Sequence, residues 1–385
     1  MPFKLGQKSG PLRGLRVVEI AGIGPSPHAC MTLADLGADV IRIERPGGTP
    51  FSHGHTDVMT RGRPSVVLDL RKPEAVDTVL RLTSEADVIT EGMRPGTMER
   101  LGLGPEECLR VNPQLVYGRM TGWGQEGPLA HTAGHDLTYV AMTGALATFG
   151  QDISRPHFPI NLIGDFGGGS TYLVIGLLSA LWETRSSGRG QVVDAAIIDG
   201  TAHLNAMTWG FLANGTWVES RVSNMLDGGD PSYDIYETSD GQHMAVAPLE
   251  PQFYVEFLRI LELTDAAPTR VDLTSREELR KLIAGKFISR TRAEWTAAFS
   301  GTDGCVSPVL SMREAAKEPH MAARAVIVEH EGIEQPAPAP RFSRTPAQLS
   351  TPPAPAPGAH TREALSAWGI EDVDSLLRSG AAIQA

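Results

Sequence analysis

Two short runs carry the residue types that move a proton on and off carbon. Gly134-His135-Asp136-Leu137-Thr138-Tyr139 sets a histidine beside a glycine at the start of an apolar stretch. Asn161-Leu162-Ile163-Gly164-Asp165-Phe166-Gly167-Gly168-Gly169-Ser170 does the same with an aspartate. Ser170 to Thr184 reads as a long helix, which makes Asp165 and its glycines a strand-to-helix turn facing free N–H groups and the positive end of a dipole. Donors of that kind also suit an oxyanion formed beside the carboxylate, and glycine lets backbone approach closely. A histidine and a carboxylate flanking one carbon can pass its proton from face to face. The plainer reading makes Asp165 an N-cap, His135 a satisfied core histidine and the glycines a tight turn with close helix packing.

The elements that must position these groups alternate. Leu15 to Ile20, Asp39 to Ile43, Ser65 to Leu68, Asp87 to Thr90 and Leu115 to Tyr117 read as short apolar strands, with helices from His28 to Leu36, Pro73 to Ser84 and Pro105 to Val111 between them. Such alternation implies an α/β fold with a parallel, doubly wound, Rossmann-like sheet. Gly22-Ile23-Gly24-Pro25-Ser26-Pro27 after the first strand imitates a dinucleotide fingerprint, but Pro27 stands where the third glycine belongs, so a nicotinamide reaction is not expected. Ala195 to Ala213 reads as a second long helix. Tyr233 to Thr238 and His243 to Ala247 then alternate as a β-hairpin around Ser239-Asp240-Gly241-Gln242, followed by helices from Glu250 to Leu263 and Glu277 to Phe287. The expected division is a large domain over 1–194, completed by about 335–385, a linker helix region over 195–227, a small α+β domain over 228–307 and a return linker over 308–334.

With 385 residues the chain exceeds one compact core, and 41% hydrophobic with 21% charged residues is ordinary globular composition. The net charge of −11 argues against nucleic acid, which demands a basic surface. No apolar run is read as approaching the roughly 20 residues that span a bilayer, and no signal peptide is read at the N-terminus, so no membrane partner is expected. Cys30, Cys108 and Cys305 lack metal-ligand spacing and read as buried thiols in a reducing compartment, with cytoplasm the expected location. An anionic ligand needs only local arginines. Arg42, Arg45, Arg71, Arg94 and Arg100 lie in the first hundred residues, and Arg45, directly after a strand, is the best placed for a phosphate.

The two runs resemble those of α-methylacyl-CoA racemases, a branch of the family III CoA-transferase superfamily. The likeness extends through Pro11 to Glu19, Leu36 to Pro46, Glu91 to Gly96, Arg119 to Gln125, Gly188 to Ala196, Met225 to Gly229 and Pro340 to Thr345, nearly the whole chain in order. It implies a Rossmann-like large domain, a smaller α+β domain and an interlocked homodimer. It also implies inversion of the α-carbon of a 2-methylacyl-CoA thioester through an enolate. His135 and Asp165 would be the two bases, and Glu250, from the small domain, would support the histidine. The substrate and CoA contacts implied are Ile23, Arg45, Leu68, Asp69, Leu70, Arg71, Gly92, Met93, Arg94, Arg100, Gly134, Asp136, Leu137, Thr138 and Tyr139. No metal, nicotinamide or pyridoxal phosphate is expected, since CoA is part of the substrate.

Two rivals stand beside this reading. A transferase of the same superfamily would use Asp165 as nucleophile, forming an anhydride and then a thioester with CoA. His135 favours the racemases, which carry histidine there where the transferases generally do not. Ala245-Val246-Ala247-Pro248-Leu249-Glu250 also lacks the glycine run that several transferases carry. The other rival is a CoA-binding homologue without turnover, against which the retention of His135, Asp165 and Glu250 together argues.

Overall fold

Paired apolar residues recur at Val17-Val18, Val40-Ile41, Val88-Ile89 and Val116-Tyr117. Neighbours on a strand face opposite sides, so each pair feeds both faces of a sheet covered by helices. The computed structural model describes residues 4–48, 54–267 and 273–385. The strands are β1 (Arg16–Ile20), β2 (Asp39–Glu44), β3 (Ser65–Leu68), β4 (Val88–Glu91), β5 (Val116–Thr121) and β6 (Gln191–Ala196). They lie in the order β3-β2-β1-β4-β5-β6, all parallel, and a short C-terminal strand, Ala382–Ile383, pairs antiparallel with β3 at the sheet edge. The order reverses between β1 and β4, and the crevice outside the carboxyl ends of the strands at such a point is where open α/β sheets take ligands.

Helices α1 (Pro25–Asp35), α2 (Pro73–Ser84) and α3 (Pro105–Val111) each begin with proline at the first turn, where its missing N–H costs nothing. Val18, Ile41, Ile89 and Tyr117 pack with Val79 and Leu82 of α2 and with Leu365 and Trp368 near the C-terminus. On the other face, Val17, Val40, Val88 and Val116 pack with Leu33 of α1 and with Leu173 and Leu177. Each such side chain contributes about 1.5–3 kcal/mol by leaving water. The buried Glu19 of β1 sits between the guanidinium groups of Arg42 and Arg63. Arg63 also donates to the Pro27 carbonyl at 2.9 Å, so this ion cluster anchors the first turn of α1.

The second half departs from the expected elements in two places. Gln191–Ala196 is the edge strand β6, so Ala195 and Ala196 are strand and the helix read from Ala195 begins at Ile197. That helix, α6 below, then breaks at Asn205 before a further helix, Ala206–Ala213. The helix read from Ser170 begins earlier, at Leu162, and runs to Ser187. Its opening stretch, Leu162–Ser170, is π-helical. Three glycines are poor helix formers, yet here they allow close packing: a Cβ on Gly168 would stand 2.4 Å from Thr201 Oγ1, and one on Gly169 would stand 3.0 Å from Pro25 Cβ. The 26-residue helix is long and apolar enough to cross a membrane, contrary to the sequence reading, although Leu173, Leu177 and Ala180 are buried in this unit's own core.

The chain divides into two compact units. One comprises 1–143, 159–204 and 322–385; the other comprises 144–158 and 205–321. The smaller unit is therefore wider than 228–307, taking in 144–158, the linker region from 205 and about half of the return segment. Its three antiparallel strands, Asp234–Glu237, His243–Val246 and Val306–Pro308, carry Tyr236, Met244 and Val246 into a core with Phe257, Phe287, Trp295 and Phe299. Cys30 and Cys108 are buried as expected, but Cys305 is exposed.

Candidate active site

The helix Asp136–Met142 is α4, the helix Leu162–Ser187 is α5 and the helix Ile197–Leu204 is α6. His135 is the N-cap of α4 and its backbone is extended, with φ −139° and ψ 169°. The Thr138 hydroxyl locks that geometry by accepting from the His135 N–H at 3.1 Å and donating to its carbonyl at 2.7 Å. The His135 side chain is exposed. One helical turn on, Tyr139 points the other way. Its ring is buried edge-on to Trp123 at 4.7 Å, and a Cβ on Gly122 or Gly134 would stand 1.9 or 2.5 Å from it. Gly134 thus makes room for an anchor of α4, and Tyr139 is chiefly that anchor.

Asp165 stands in the first turn of α5, half-buried. One carboxylate oxygen accepts from Asn161 Nδ2 at 3.1 Å. The same oxygen lies 3.1 Å from where a side chain at Gly24 would begin, so the loop after β1 passes directly over the carboxylate. Gly24 has φ +67°, a backbone open to glycine, and its missing side chain keeps Asp165 accessible. The carboxyl pKa is raised above the ordinary aspartate range, first by burial and further by Asp136, while Asn161 and His135 pull it down. This moves a carboxylate toward the basicity that general-base work requires.

The expected oxyanion donors need correcting. The Asp165 N–H donates to Asp136 Oδ2 at 2.8 Å, and the neighbouring Gly164 N–H also helps to stabilise that carboxylate. Gly168 and Gly169 lie inside the helix, packed on α6 and α1. The glycine run therefore closes helix against helix, and the Asp165 amide is already engaged.

The other expected contacts follow the carboxyl ends of the parallel strands: Ile23 after β1, Arg45 after β2, Leu68 to Arg71 at the end of β3, and Gly92 to Arg94 after β4. Ile23, Arg45, Gly92, Arg94, Arg100 and Leu137 are exposed, and Leu70 and Met93 are half-buried. Leu68 is fully buried in the core, so its side chain meets no ligand. Asp69 is held in a two-pronged pair by Arg71, at 2.8 and 2.9 Å. Beneath the β4 loop, buried Glu91 accepts from the Met93 N–H at 2.6 Å and from Arg119 at 3.0 Å. Burial raises its pKa to about 7.

Three residues escaped the sequence reading. Asn161, four before Asp165, was signalled by helical spacing alone. Gly24 belonged to the loop dismissed as a false fingerprint. His28 faces Phe166 at 4.6 Å and meets Ser170 Oγ at 2.5 Å, and burial lowers its pKa. Glu250 caps the helix Pro251–Ile260 of the smaller unit, where it is exposed.

Residues 12–361 match the model of CoA-transferase family III. This chain belongs to that family. The α-methylacyl-CoA racemase of Mus musculus is 42% identical over 367 residues, covering 95% of both chains. The racemase of Homo sapiens is 41% identical, covering 93% of this chain and 94% of its own. Among solved structures, a CAIB/BAIF family protein from Brucella suis superposes with a TM-score of 0.79 at 26% identity, covering 94% of this chain and 100% of its own. A succinyl-CoA--D-citramalate CoA-transferase of Chloroflexus aurantiacus is similar at 32% identity, covering 92% of both chains.

Proposed function

We propose that this protein is an isomerase of acyl-CoA thioesters, an α-methylacyl-CoA racemase. The observation that carries the reading is an exposed histidine and a half-buried aspartate of raised pKa, each at the start of a helix and joined through the Asp136–Asp165 hydrogen bond. The α-proton of a thioester is acidic enough to remove because the enolate spreads charge onto the thioester oxygen. Asp165 takes the proton from one face and protonated His135 returns one to the other; the opposite enantiomer needs the opposite starting protonation. With the Asp165 amide engaged, the N–H groups of Asp136 and Leu137, which have no acceptor within α4, are the donors nearest His135 for the enolate oxygen. Arg45, exposed after β2, takes a CoA phosphate. The chemistry asks for no metal or redox cofactor.

The transferase reading of Asp165 requires a second substrate. Purified protein given one enantiomer of a 2-methylacyl-CoA and no acceptor acid is expected to yield both epimers on chiral chromatography. Turnover that depends on an added carboxylic acid, with CoA appearing on it, would favour the transferase.

We read the assembly as a homodimer. In the larger unit, Ile175 and Trp182 of α5 are 53% and 73% exposed; in the smaller unit, the apolar helix Ala206–Ala213 buries none of its residues. Apolar faces of this kind call for cover, and in this reading a second copy supplies it. Sedimentation is expected to give a dimer at assay concentrations, and an active monomer would refute this.

A further inference from the structure

We infer that Asp136 is a positioning residue, a carboxylate clip that locks the start of α4, and with it His135, onto the turn of α5 that carries Asp165. The inference rests on the racemase reading and concerns the Asp136 side chain, leaving its backbone N–H free for the substrate. Its Oδ2 accepts from the Asp165 N–H at 2.8 Å across 29 positions of sequence, and the neighbouring Gly164 N–H also helps to stabilise the carboxylate. These are first-turn amides of α5, without acceptors of their own, so an anionic side chain from another helix suits them. Gly164 is shaped for this approach: a Cβ there would stand 2.3 Å from Asp136 Oδ2 and 2.8 Å from Val140 Cγ2. Asp136 immediately follows His135, so one bond joins the backbones that set the two expected bases. Among the described residues, no other hydrogen bond joins these two stretches of backbone so directly.

The clip also carries charge. Among groups acting on the Asp165 carboxyl, Asp136 raises its pKa and His135 lowers it, and burial alone exceeds both. Tyr139 of α4 feels Asp165 and Arg94. From the other packed helices, His28 of α1 is bonded to Ser170, and α6 brings Asp199 and His203, the latter bonded to the Tyr172 hydroxyl at 2.6 Å. None of these can replace a carboxylate held against the Asp165 amide.

The test compares Asp136→Asn, which keeps an acceptor oxygen and removes the charge, with Asp136→Ala, which removes both. Asp136→Ala is expected to lower kcat about 100-fold through misplacement of the bases, with KM for the acyl-CoA unchanged. Asp136→Asn is expected to recover much of that loss, with the acid limb of its kcat profile moved to lower pH. Loss of the neighbouring charge lets Asp165 ionise more readily. In free protein labelled at the aspartate carboxyl carbon, the Asp165 resonance should likewise titrate at lower pH in Asp136→Asn than in wild type. A wild-type titration in Asp136→Asn overturns the inference, as does a raised KM at unchanged kcat in Asp136→Ala, which would make the Asp136 carboxylate itself a ligand contact. The carboxyl titration needs no turnover, so it decides the clip even if the wild type fails to racemise, an outcome that instead removes the racemase reading. It also decides the matter if Asp136→Ala does not fold.

Discussion

Replacing either His135 or Asp165 with alanine is expected to lower racemisation by about 100-fold to 10,000-fold, the range for loss of a general acid or base. The two losses should look alike in epimer formation, because inversion in either direction uses both groups. They should differ in exchange with solvent. Enolisation needs one base on one face, so His135→Ala should still exchange the α-proton of the enantiomer presented to Asp165, and Asp165→Ala that of the other alone. A nucleophilic Asp165 predicts another pattern: Asp165→Ala removes all activity while His135→Ala has a modest effect. Both proteins should fold, since the His135 side chain is exposed and Asp165 is only half-buried. If both variants exchange the same enantiomer equally, the two-face assignment is wrong.

The largest loss of stability is expected from Glu19→Ala. The Glu19 carboxylate is fully buried between Arg42 and Arg63, and the Arg63 side chain is itself fully buried. Arg42 keeps Glu44 at 3.3 Å, but Arg63 retains only the Pro27 carbonyl among the hydrogen bonds described for it. Removing one partner of a buried pair costs about 3–5 kcal/mol because the remaining charge stays out of water without compensation. The cost falls where the site is built: Arg63 holds the first turn of α1, and Gly24, one residue before that helix, lies against Asp165. Glu19→Ala should therefore lower both the thermal midpoint and kcat, while Glu19→Gln, which retains an acceptor, should lower them less. An unchanged melting midpoint in Glu19→Ala would show that the cluster carries no such weight.

The large sheet was legible because its strands are buried on both faces and bounded by turn residues. Ser65–Leu68, Pro73–Ser84 and Pro105–Val111 stand where the sequence puts them, to the residue. β6 was not legible, since Val192-Val193-Asp194-Ala195-Ala196 carries apolar residues that suit a helix as well as an edge strand, and only pairing with β5 decides between them. His135 and Asp165 could be singled out from type and setting. The purpose of the glycines could not. A missing Cβ serves a substrate oxyanion and a neighbouring helix equally, and contact with Thr201 and Pro25 is a tertiary fact. The same holds for Gly24, where a turn glycine and a glycine that clears space for a distant carboxylate look alike in sequence. Asp136 and Gly164 show the limit most clearly: no periodicity links positions that far apart, and their bond exists only once two helices have met.

The most direct test of the account is to follow one pure enantiomer of a 2-methylacyl-CoA in D₂O by NMR, with wild-type protein and no acceptor acid. The α-proton should be replaced by deuterium as the opposite epimer forms, because the proton leaves to one base and its replacement comes from another that exchanges with solvent. An α-proton that stays in place while CoA moves only after a carboxylic acid is added would contradict the two-base enolate mechanism.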